Sequence, residues 1–268
     1  MRYDPIKDSL DSLFDQSVFT RKIFYRLLDL ILLRTWHMKR EIRKWKKTAP
    51  ENAHILDAGS GFGQYAYFLS RQKKNWNILG VDVKRNYVAE CNEFFRATGK
   101  QNVFFRMEDL TRMRNEDTFD LIISVDVMEH IADDEAVFRN FFASLRHHGV
   151  LLMAVPSNDN RPGINKKTNG HKVDEHVRDG YDKHDLKEKL KRAGFHHVKV
   201  HYSYGIPGKI AWKFASKWPL TVLGLSRFFI VLLPFYYSVF ILPIIVLHYL
   251  DTWSPHRTGA GLIVKASK

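Results

Sequence analysis

Short apolar runs alternate with helix-length amphipathic segments between residues 54 and 202, and this alternation constrains the fold more than any other feature. The runs typical of buried strands are HILDA (54–58), NILGVD (77–82), VFFR (103–106), DLIISV (120–125), VLLMAV (150–155) and HHVKVHY (196–202). The segments between them predict helices over 64–73, 86–98, 133–145 and 183–193. Because strands joined through helices run parallel, the pattern predicts a doubly wound α/β sheet.

Two further segments extend this core. Apolar residues recur at three- and four-residue spacing over 9–47, which predicts an N-terminal helical segment. A long hydrophobic stretch separates the sixth strand from a last strand, GLIVKA (261–266). The predicted organisation is an N-terminal helical lid or cap over 1–50, the core over 51–205, a hydrophobic helical insert over 206–256 and the final strand of the core sheet over 257–268.

The composition is strongly basic, with 42 Lys and Arg against 29 Asp and Glu and a formal net charge of +13. Such an excess indicates an anionic partner, either nucleic acid or an acidic lipid surface. The single cysteine, Cys91, rules out an intrachain disulfide and indicates a reducing compartment. The first residues carry charges every few positions and lack the apolar stretch of a signal peptide.

A glycine-rich loop, GSGFG (59–63), follows the first strand, and carboxylates end the neighbouring strands. Glycines in such a loop permit positive φ and let a ligand approach the backbone. Asp57 ends the first strand, and Asp82 ends the second at the distance where an acid can bind two ribose hydroxyls. Glu108 and Asp109 follow the third strand, where they could meet an adenine edge.

Four motifs occur in series: ILDAGSGFG, GVDV, MEDL and DLIISVDVMEHI. In order and spacing the chain resembles the class I S-adenosylmethionine-dependent methyltransferases, over about residues 53 to 202 plus the last strand. It is similar to the branch that contains quinone and other small-molecule methyltransferases. The resemblance implies S-adenosyl-L-methionine as cofactor and a Rossmann-like seven-stranded sheet, its last strand antiparallel between strands five and six. A dinucleotide enzyme, the alternative, would have Gly-x-Gly-x-x-Gly spacing.

The resemblance also implies roles for individual residues. In the family, the acid before the glycine loop lies near the methionine amino group, and Asp57 matches it. Asp82 matches the ribose-binding acid and Asp109 the adenine-side acid, while Asp126 would lie near the methionine end. The predicted cofactor-binding residues are Asp57, Gly59, Ser60, Gly61, Gly63, Asp82, Val83, Glu108, Asp109, Leu110 and Asp126.

The methyl group of S-adenosylmethionine is already electrophilic, so the protein mainly aligns an acceptor and removes its proton where needed. His130 is the predicted base, because SVDVMEHI places it just past the C-terminal end of strand four, where open α/β sheets bind ligands. Glu129 is its neighbour and would orient a ligand or the start of the next helix. A capping or packing histidine is the alternative.

The long loop after strand five carries four candidate acceptor-site residues: His171, His176, Arg178 and Tyr181. In similar family members a His-x-Arg segment borders the acceptor site, and His176 and Arg178 match it. A solvated loop is the alternative. The spacing of His171, His176 and His184 does not require a metal ion, so no metal site is predicted.

The N-terminal segment supplies two more candidates. Related enzymes often use such a segment as a lid over both ligands, which would bring Trp36 and His37 to the acceptor. Core packing explains Trp36 equally well, and a solvated basic face explains the residues around it.

The insert contains 23 residues without Asp, Glu, Lys or Arg, FFIVLLPFYYSVFILPIIVLHYL (228–250), the length of a transmembrane helix. A single crossing would separate the last strand from its partners. The segment is therefore expected to cross an even number of times, to re-enter or to lie at the surface, and Pro234 and Pro243 favour a broken path. Just before it, Lys209, Lys213 and Lys217 share one helical face opposite Phe and Trp residues, as in an in-plane interfacial helix.

Residues 206–256 are thus predicted to dock on an anionic membrane surface, with a buried helical subdomain or a dimer interface as the alternative. Together the predictions describe a monotopic, membrane-associated methyltransferase on the cytoplasmic side of a membrane. Its expected acceptor is a lipophilic small molecule, O-methylated on a phenol, quinol or polyene head group.

The alternative function is an RNA or protein methyltransferase, which the basic charge favours. Enzymes that methylate nucleic-acid amino groups usually carry an Asn/Asp-Pro-Pro-aromatic motif after strand four. This chain has Asp-Val-Met-Glu there, which argues against a nucleic-acid partner. A non-catalytic scaffold is disfavoured, since it would have no need of the glycine loop and its acids.

Overall fold

The computed structural model describes residues 17–158 and 177–268, which contain one seven-stranded sheet in the order β3-β2-β1-β4-β5-β7-β6. The strands are β1 His54–Ala58, β2 Asn77–Asp82, β3 Val103–Met107, β4 Phe119–Val125, β5 Leu145–Pro156, β6 Lys199–Ser203 and β7 Gly261–Ser267. The α-helices are α1 Val18–Ile31, α2 Leu33–Trp45, α3 Gln64–Leu69, α4 Arg85–Ala97, α5 Asp134–Ser144, α6 Lys183–Arg192, α7 Ile206–Trp212, α8 Trp218–Leu225 and α9 Leu233–Trp253.

Strands β1 to β5 pair in parallel, whereas β7 pairs antiparallel with both β5 and β6. Leu262 of β7 lies opposite Val155 of β5 and Tyr202 of β6, so the last strand fills the centre of that half of the sheet. The predicted Rossmann-like sheet with an antiparallel last strand is confirmed.

Two hydrophobic layers cover the sheet. One face packs against α5 and α6 through residues such as Phe138, Phe141 and Leu190. The opposite face packs against α1 to α4, where Met38 and Trp45 of α2 are buried. Burial on both faces explains why the strands read as almost continuous apolar runs.

The N-terminal helical segment consists of two helices rather than one. Helix α1 begins at an N-cap, where the Ser17 hydroxyl accepts a hydrogen bond from the Thr20 N–H (3.1 Å). It ends at Leu32, whose extended backbone separates it from α2. The part of the predicted helix before residue 17 lies outside the described residues.

The insert forms a helical hairpin. Its first arm runs through α7, a π-helical turn over Lys213–Lys217 and α8, and its second arm is α9, preceded by a 3₁₀ turn over Arg227–Leu232. The hydroxyl of Tyr236 donates to the Phe214 carbonyl (2.9 Å), and that of Tyr237 donates to the Ala215 carbonyl (2.8 Å). These contacts tie the two arms together.

The two prolines were expected to break the path of this segment, and for Pro243 this prediction is wrong. Pro234 stands in the first turn of α9, where it removes no helical hydrogen bond, but α9 continues unbroken through Pro243. The apolar helix including the preceding turn, Phe229–Trp253, is the one stretch of the described chain long and apolar enough to cross a bilayer. Few of its residues are buried in the protein.

Asp251, near the end of α9, joins the insert to the core. Its fully buried carboxylate accepts hydrogen bonds from the backbone N–H groups of Tyr204 (3.1 Å), Gly205 (2.8 Å) and Gly208 (2.9 Å). The Nε2 atom of His37 on α2 lies 2.9 Å from the same carboxylate. One acidic side chain thus connects α9, the turn before α7 and the N-terminal helices.

Candidate active site

The glycine-rich loop between β1 and α3 adopts the conformation that its sequence predicts. Gly59, Gly61 and Gly63 have φ values of +75°, +48° and +77°, a region that favours glycine. A Cβ atom on Gly59 would overlap both methyl carbons of Val127, at 2.9 Å from Cγ1 and closer to Cγ2. A Cβ atom on Gly61 would meet no protein atom within 4 Å. The loop is therefore packed at its start and open at its middle.

Asp82 at the end of β2 holds this loop from the side. One carboxylate oxygen accepts the Gly61 N–H (2.9 Å), and the other accepts the Lys84 N–H (2.9 Å). The carboxylate is half-buried beside the open middle of the loop. This position is compatible with the predicted contact to ribose hydroxyls.

Asp57 lies beneath the loop rather than in it. Its buried carboxylate accepts the Ala66 N–H (3.1 Å) in the first turn of α3. Burial raises the pKa of Asp57 to about 7. Ser60 is also buried, and its hydroxyl has no hydrogen-bond partner within the described residues. A ligand in the loop could supply that partner.

Helix α1 covers the outside of the loop through side chains that the sequence did not single out. The Arg21 guanidinium donates to the Phe62 carbonyl (3.1 Å), and the Tyr25 hydroxyl donates to the same carbonyl. The Gln64 amide donates to Asp29 of α1 (2.7 Å). The N-terminal segment thus acts as a clamp on the cofactor loop.

The predicted adenine side lies next to the end of β2. The N–H of Glu108 donates to the Asp82 carbonyl (3.1 Å), and the Glu108 carboxylate pairs with Arg106. Asp109 accepts the Thr111 N–H and hydroxyl, which hold its carboxylate in the turn. Val83 is exposed on this rim, whereas Leu110 is buried in the core beneath it.

The predicted methionine end is occupied by an ion pair. Asp126 follows β4 with φ of +53°, and its carboxylate pairs with Arg34 of α2. The N–H of Arg34 donates to the hydroxyl of Tyr204 (3.3 Å), just after β6. Arg34 is therefore the N-terminal side chain at this site, and its place in the basic LLRTWHMKR run gave no signal to distinguish it.

Glu129 and His130 lie in a single 3₁₀ turn, Met128–His130, directly after Asp126 and Val127. Glu129 is only 2% exposed, and its Oε2 has no hydrogen-bond partner within the described residues. Burial, and secondly the charge of Asp126, raise the pKa of Glu129 to about 8. The His130 side chain is half-buried, and the backbone N–H of His130 donates to the Val127 carbonyl (3.0 Å).

Arg178 and Tyr181 support this turn from outside. The Arg178 guanidinium pairs with Asp134 and donates to the carbonyls of Ile131 (2.8 Å) and Ala132 (2.9 Å). The Tyr181 hydroxyl donates to the Met128 carbonyl (3.0 Å). Both side chains thus help to position the turn, and their predicted contact with an acceptor stays a prediction. His171 and His176 lie outside the described residues.

Trp36 and His37 pack against the insert. The His37 ring is buried against Asp251, and the Trp36 ring makes an edge contact with His248 of α9 (centroids 5.5 Å apart). The structure thus favours the packing interpretation of these two residues over contact with an acceptor. Within the described ranges no group of three or more His, Cys, Asp or Glu side chains could hold a metal ion.

A cavity of about 280 Å³ opens beside Asp126. It extends across the ends of β5, β6 and β7 and is covered by α2 and α7. Its lining residues are Arg34, Asp126, Ala154, Val155, Pro156, Ser203, Tyr204, Lys209, Trp212, Ala260, Gly261, Leu262 and Ile263. The cavity therefore connects the predicted methionine end of the cofactor site with the first helix of the insert.

The chain matches the family described as a methyltransferase domain over residues 21–200. It belongs to this family. The resemblance to S-adenosylmethionine-dependent methyltransferases is confirmed at the level of this domain, together with its cofactor.

Named relatives include both N- and O-methyltransferases. Phosphoethanolamine N-methyltransferase 1 of Triticum aestivum is 34% identical over 156 residues, 54% of this chain and 28% of that protein. Malonyl-[acyl-carrier protein] O-methyltransferase of Bacillus cereus is 29% identical over 118 residues, 44% of this chain and 43% of that protein. The chain thus spans less than a third of the length of the plant relatives it matches.

Solved structures agree on the fold. Phosphoethanolamine N-methyltransferase 2 of Haemonchus contortus, in complex with S-adenosylhomocysteine and phosphomonomethylethanolamine, superimposes with a TM-score of 0.60. The match covers 91% of this chain and 60% of that chain at 16% sequence identity. A putative sarcosine dimethylglycine methyltransferase from Galdieria sulphuraria gives a TM-score of 0.55 at 15% identity, covering 86% of this chain and 81% of that chain.

The residues of this methyltransferase domain fit S-adenosylmethionine. The middle of the loop at Gly61 is open, the Ser60 hydroxyl lacks a partner among the described residues, and the Asp82 carboxylate is half-buried beside them. When bound, the cofactor supplies an electrophilic methyl group on a sulfonium. Asp126 would lie near its methionine end, as the resemblance implies, and Glu129 follows in the adjacent turn.

The buried Glu129 makes the stability of the domain depend on pH. An acid with a raised pKa holds a proton in the folded state that the unfolded chain releases, so stability falls between its ordinary value of 4.5 and about 8. Burial lowers the pKa of His37 and His201, so the unfolded chain binds protons more readily than the folded one. Their contribution to the stability of the folded state is therefore lost as the pH falls below 6.5. From about pH 7 to 8 these histidines are neutral in both states, and the two buried acids lower stability together; Glu129 contributes more than Asp57, whose pKa of about 7 is already reached at the start of this range.

We therefore expect the free energy of unfolding to decrease from about pH 7 to pH 8. Glu129→Gln, which mimics the protonated acid, should flatten this decrease in urea titrations at several pH values. Glu188→Gln is the control, because Glu188 is exposed and its pKa is lowered by Lys191. An unchanged slope in Glu129→Gln would show that Glu129 is ionised in the folded protein.

Proposed function

We propose that this protein is a monotopic, membrane-associated S-adenosylmethionine-dependent methyltransferase whose acceptor is a lipophilic small molecule. The observation that carries the proposal is the position of the apolar hairpin, whose first helix forms part of the cavity beside Asp126. An acceptor dissolved in a bilayer could reach the cofactor without crossing water.

The surface of the hairpin supports docking on a membrane. Large apolar side chains are exposed along the start and outer face of its second arm, and Phe235 is 71% exposed. The members of this apolar face are Ile230, Val231, Leu232, Phe235, Val239, Leu242 and Val246. Contiguous exposed apolar surface of this kind marks an interaction site for a membrane or another protein.

The topology limits how the hairpin can enter a bilayer. Strand β7 follows the hairpin and pairs with β5 and β6, so both ends of the hairpin lie at the same sheet. One crossing would leave β7 on the wrong side, and the first arm carries Lys213 and Lys217, which are exposed. A hairpin that enters one leaflet and returns satisfies both conditions. The proposed location is the cytoplasmic side of a membrane, because the single cysteine indicates a reducing compartment.

The lysines of the first arm favour a membrane that contains anionic lipid. Lys213 and Lys217 lie beside the exposed rings of Trp212 and Trp218, which suit the headgroup region of a bilayer. Basic residues at such a surface gain about 1 kcal/mol each from anionic lipid. The formal net charge of +13 adds long-range attraction of the same sign.

The reaction that the sequence favours is O-methylation of a phenol, quinol or polyene head group. Removal of a proton from such an acceptor needs a base at neutral pH, and His130 is the candidate beside the predicted methionine end. Glu129, whose pKa is raised to about 8 and which therefore holds its proton near pH 7, would instead orient the acceptor. The relatives methylate nitrogen or oxygen according to their names, so turnover should be compared for a prenylated hydroquinone and for phosphoethanolamine.

Flotation with vesicles tests the membrane proposal. The protein is expected to float with vesicles that contain anionic lipid and to float less with neutral vesicles or at high salt. Replacing Val231, Phe235 and Val239 together with serine should reduce the bound fraction at least tenfold, because each large side chain contributes about 1.5–3 kcal/mol when buried in an apolar phase. Phe104→Ser is the control, since Phe104 is exposed on edge strand β3.

Calorimetric titration with S-adenosylmethionine on the same preparations shows whether the triple variant is folded. Equal flotation of the triple variant and Phe104→Ser would disprove docking through the hairpin. If the wild type binds cofactor but does not float, the apolar face covers another protein or a second copy, and soluble acceptors or RNA become the first candidates.

A further inference from the structure

Arg34 of α2 and Asp126, which follows β4, form an ion pair at the predicted methionine end of the cofactor site. We propose that Arg34 binds the carboxylate of the methionine part of S-adenosylmethionine, through guanidinium N–H groups that Asp126 leaves unused. The free oxygen of Asp126 would face the ammonium group on the same carbon of the cofactor. Helix α2 would then be part of the cofactor site itself, wherever the hairpin lies relative to a membrane.

The ion pair uses only part of the hydrogen-bonding capacity of its two side chains. It joins one guanidinium nitrogen, Nη1 of Arg34, to one carboxylate oxygen, Oδ2 of Asp126. A guanidinium has five N–H donors and a carboxylate has two acceptor oxygens. Among residues 17–158 and 177–268 no other group bonds to either charged end, and the two side chains remain 37% and 30% exposed. Both line the cavity beside Asp126, so polar atoms on each are available to a ligand.

Two contacts place this ion pair next to the glycine-rich loop. Gly59 packs against Val127, which follows the acid of the pair, and a Cβ atom on Gly59 would lie 2.9 Å from Cγ1 of Val127. Tyr65 lies in the first turn of the helix after the loop, and its hydroxyl is 3.4 Å from that of Thr35, which follows the arginine. Each member of the pair is therefore one residue away from a contact with the loop or its helix.

The backbone holds both members of the pair in position. Asp126 has φ of +53°, and its N–H donates to the Ala154 carbonyl (3.0 Å). Positive φ is uncommon outside glycine and occurs often at functional sites. The N–H of Arg34 donates to the hydroxyl of Tyr204 (3.3 Å). The two charges are thus attached to fixed points of the backbone, which lowers the cost of binding a ligand between them.

An α-amino acid complements a guanidinium and a carboxylate that adjoin each other. Its own carboxylate and ammonium are bonded to one carbon, and they match the pair in charge and in spacing. Hydrogen bonds between a guanidinium and a carboxylate are charge-assisted and stronger than neutral ones. Glu129, in the next turn, holds its proton near pH 7, because burial raises its pKa to about 8. Asp126 is therefore the acid that carries the negative charge at this end of the site.

Titration with cofactor analogues tests the contact to the carboxylate. S-adenosylmethionine, its decarboxylated form and methylthioadenosine, which lacks the whole amino-acid part, would each be titrated calorimetrically into the full-length wild type and Arg34→Ala. Arg34→Ala is expected to weaken binding of S-adenosylmethionine roughly ten- to a hundredfold, because hydrogen bonds to a charged group are lost. It should not weaken binding of the other two ligands, since neither has a carboxylate.

Two matched variants separate the guanidinium from charge in general. Arg34→Lys keeps the charge but not the planar fork, so it should restore part of the lost affinity. Lys44→Ala is the control, since Lys44 lies on the same helix, pairs with Glu41 (2.8 Å) and does not line the cavity. It should leave the affinity for all three ligands unchanged. A urea unfolding curve for each variant reports whether the fold is retained.

Equal losses for S-adenosylmethionine and its decarboxylated form in Arg34→Ala would overturn the proposal, because Arg34 would then act on the shape of the site. Wild-type affinity for S-adenosylmethionine in Arg34→Ala would overturn it as well. Each comparison is made between ligands on one protein, so a change in overall stability does not imitate the expected result. Flotation with vesicles is not involved, and the membrane proposal can fail while this contact stands.

Discussion

Gly59→Ala is expected to weaken binding of S-adenosylmethionine about a hundredfold. The position has φ of +75°, where an alanine costs about 1–2 kcal/mol. The new Cβ would also overlap Val127, the residue between Asp126 and the Met128–His130 turn, and relief of such overpacking costs about 1–3 kcal/mol. The backbone cost is present with and without ligand and so lowers stability alone, whereas the overlap displaces the turn after Val127; at the upper end of its range, about 3 kcal/mol, it corresponds to roughly two powers of ten in affinity.

The overlap matters for binding because Val127 lies between Asp126 and the Met128–His130 turn. If Val127 moves, the flanking Asp126 at the predicted methionine end moves with it, and so does the turn that holds Glu129 and His130. The measurement is calorimetric titration of S-adenosylmethionine, with a urea unfolding curve for each variant to separate loss of binding from loss of the fold.

Two further variants isolate the cause. Gly99→Ala carries a similar backbone penalty, since Gly99 has φ of +67°, but its Cβ would meet no atom within 4 Å. It should lose stability but not affinity. Val127→Ala combined with Gly59→Ala removes the two overlapping methyl groups and should restore part of the affinity. Affinity equal to the wild type in Gly59→Ala would show that the loop and the turn are not coupled.

The sheet could be predicted from the sequence because its signals are local. The buried strands read as apolar runs, and β1 and β2 begin and end at the predicted residues. Strand β7 was predicted within one residue although it follows the hairpin. The parallel order then follows from helical crossovers, and the antiparallel last strand follows from the family resemblance.

The site residues could be predicted only where the residue type and its place at the end of a strand together determine the role. Glycines at positive φ and Asp82 at a strand end have positions fixed by the backbone, and the structure places them together. Arg34 could not be distinguished from its basic neighbours, because its pairing with Asp126 depends on how α2 packs on the sheet. Trp36 and His37, two and three positions further along α2, instead face α9.

The structure of the hairpin could likewise be predicted only in part from the sequence. A proline inside an apolar helix normally predicts a break, but α9 runs through Pro243. The two arms are joined by hydrogen bonds from the hydroxyls of Tyr236 and Tyr237 to backbone carbonyls of the first arm. The spacing of apolar residues along the sequence does not predict such contacts. Asp251 looked like an ordinary polar end to an apolar segment, and only the folded chain shows its buried partners.

Asp251→Ala is expected to reduce the free energy of unfolding by about 3–5 kcal/mol, because removal of one partner leaves buried charges and donors uncompensated. Three backbone N–H groups, of Tyr204, Gly205 and Gly208, would lose their acceptor in a buried position. The His37 ring would lose its carboxylate partner as well. Such a loss is a large part of the roughly 5–15 kcal/mol that stabilises a typical domain.

Asp251→Asn tests whether geometry or charge dominates. Its single carbonyl oxygen can replace only one of the two carboxylate oxygens, and its NH₂ group would face donors at the other, so it should also be strongly destabilising. Glu51→Ala is the control, since the exposed Glu51–Lys73 pair should contribute about 0–1 kcal/mol. Urea unfolding gives the stabilities, and hydrogen exchange at Gly205 and Gly208 reports the junction itself.

The same substitution should affect the active site, because Asp251 holds the backbone at Tyr204. The Tyr204 hydroxyl accepts the Arg34 N–H, and both residues line the cavity beside Asp126. Asp251→Ala should therefore speed hydrogen exchange in the turn before α7 and weaken binding of S-adenosylmethionine, whose predicted methionine end lies at Asp126. A loss of stability no larger than in Glu51→Ala, with exchange at Gly205 unchanged, would show that the Asp251 carboxylate does not hold the hairpin to the core.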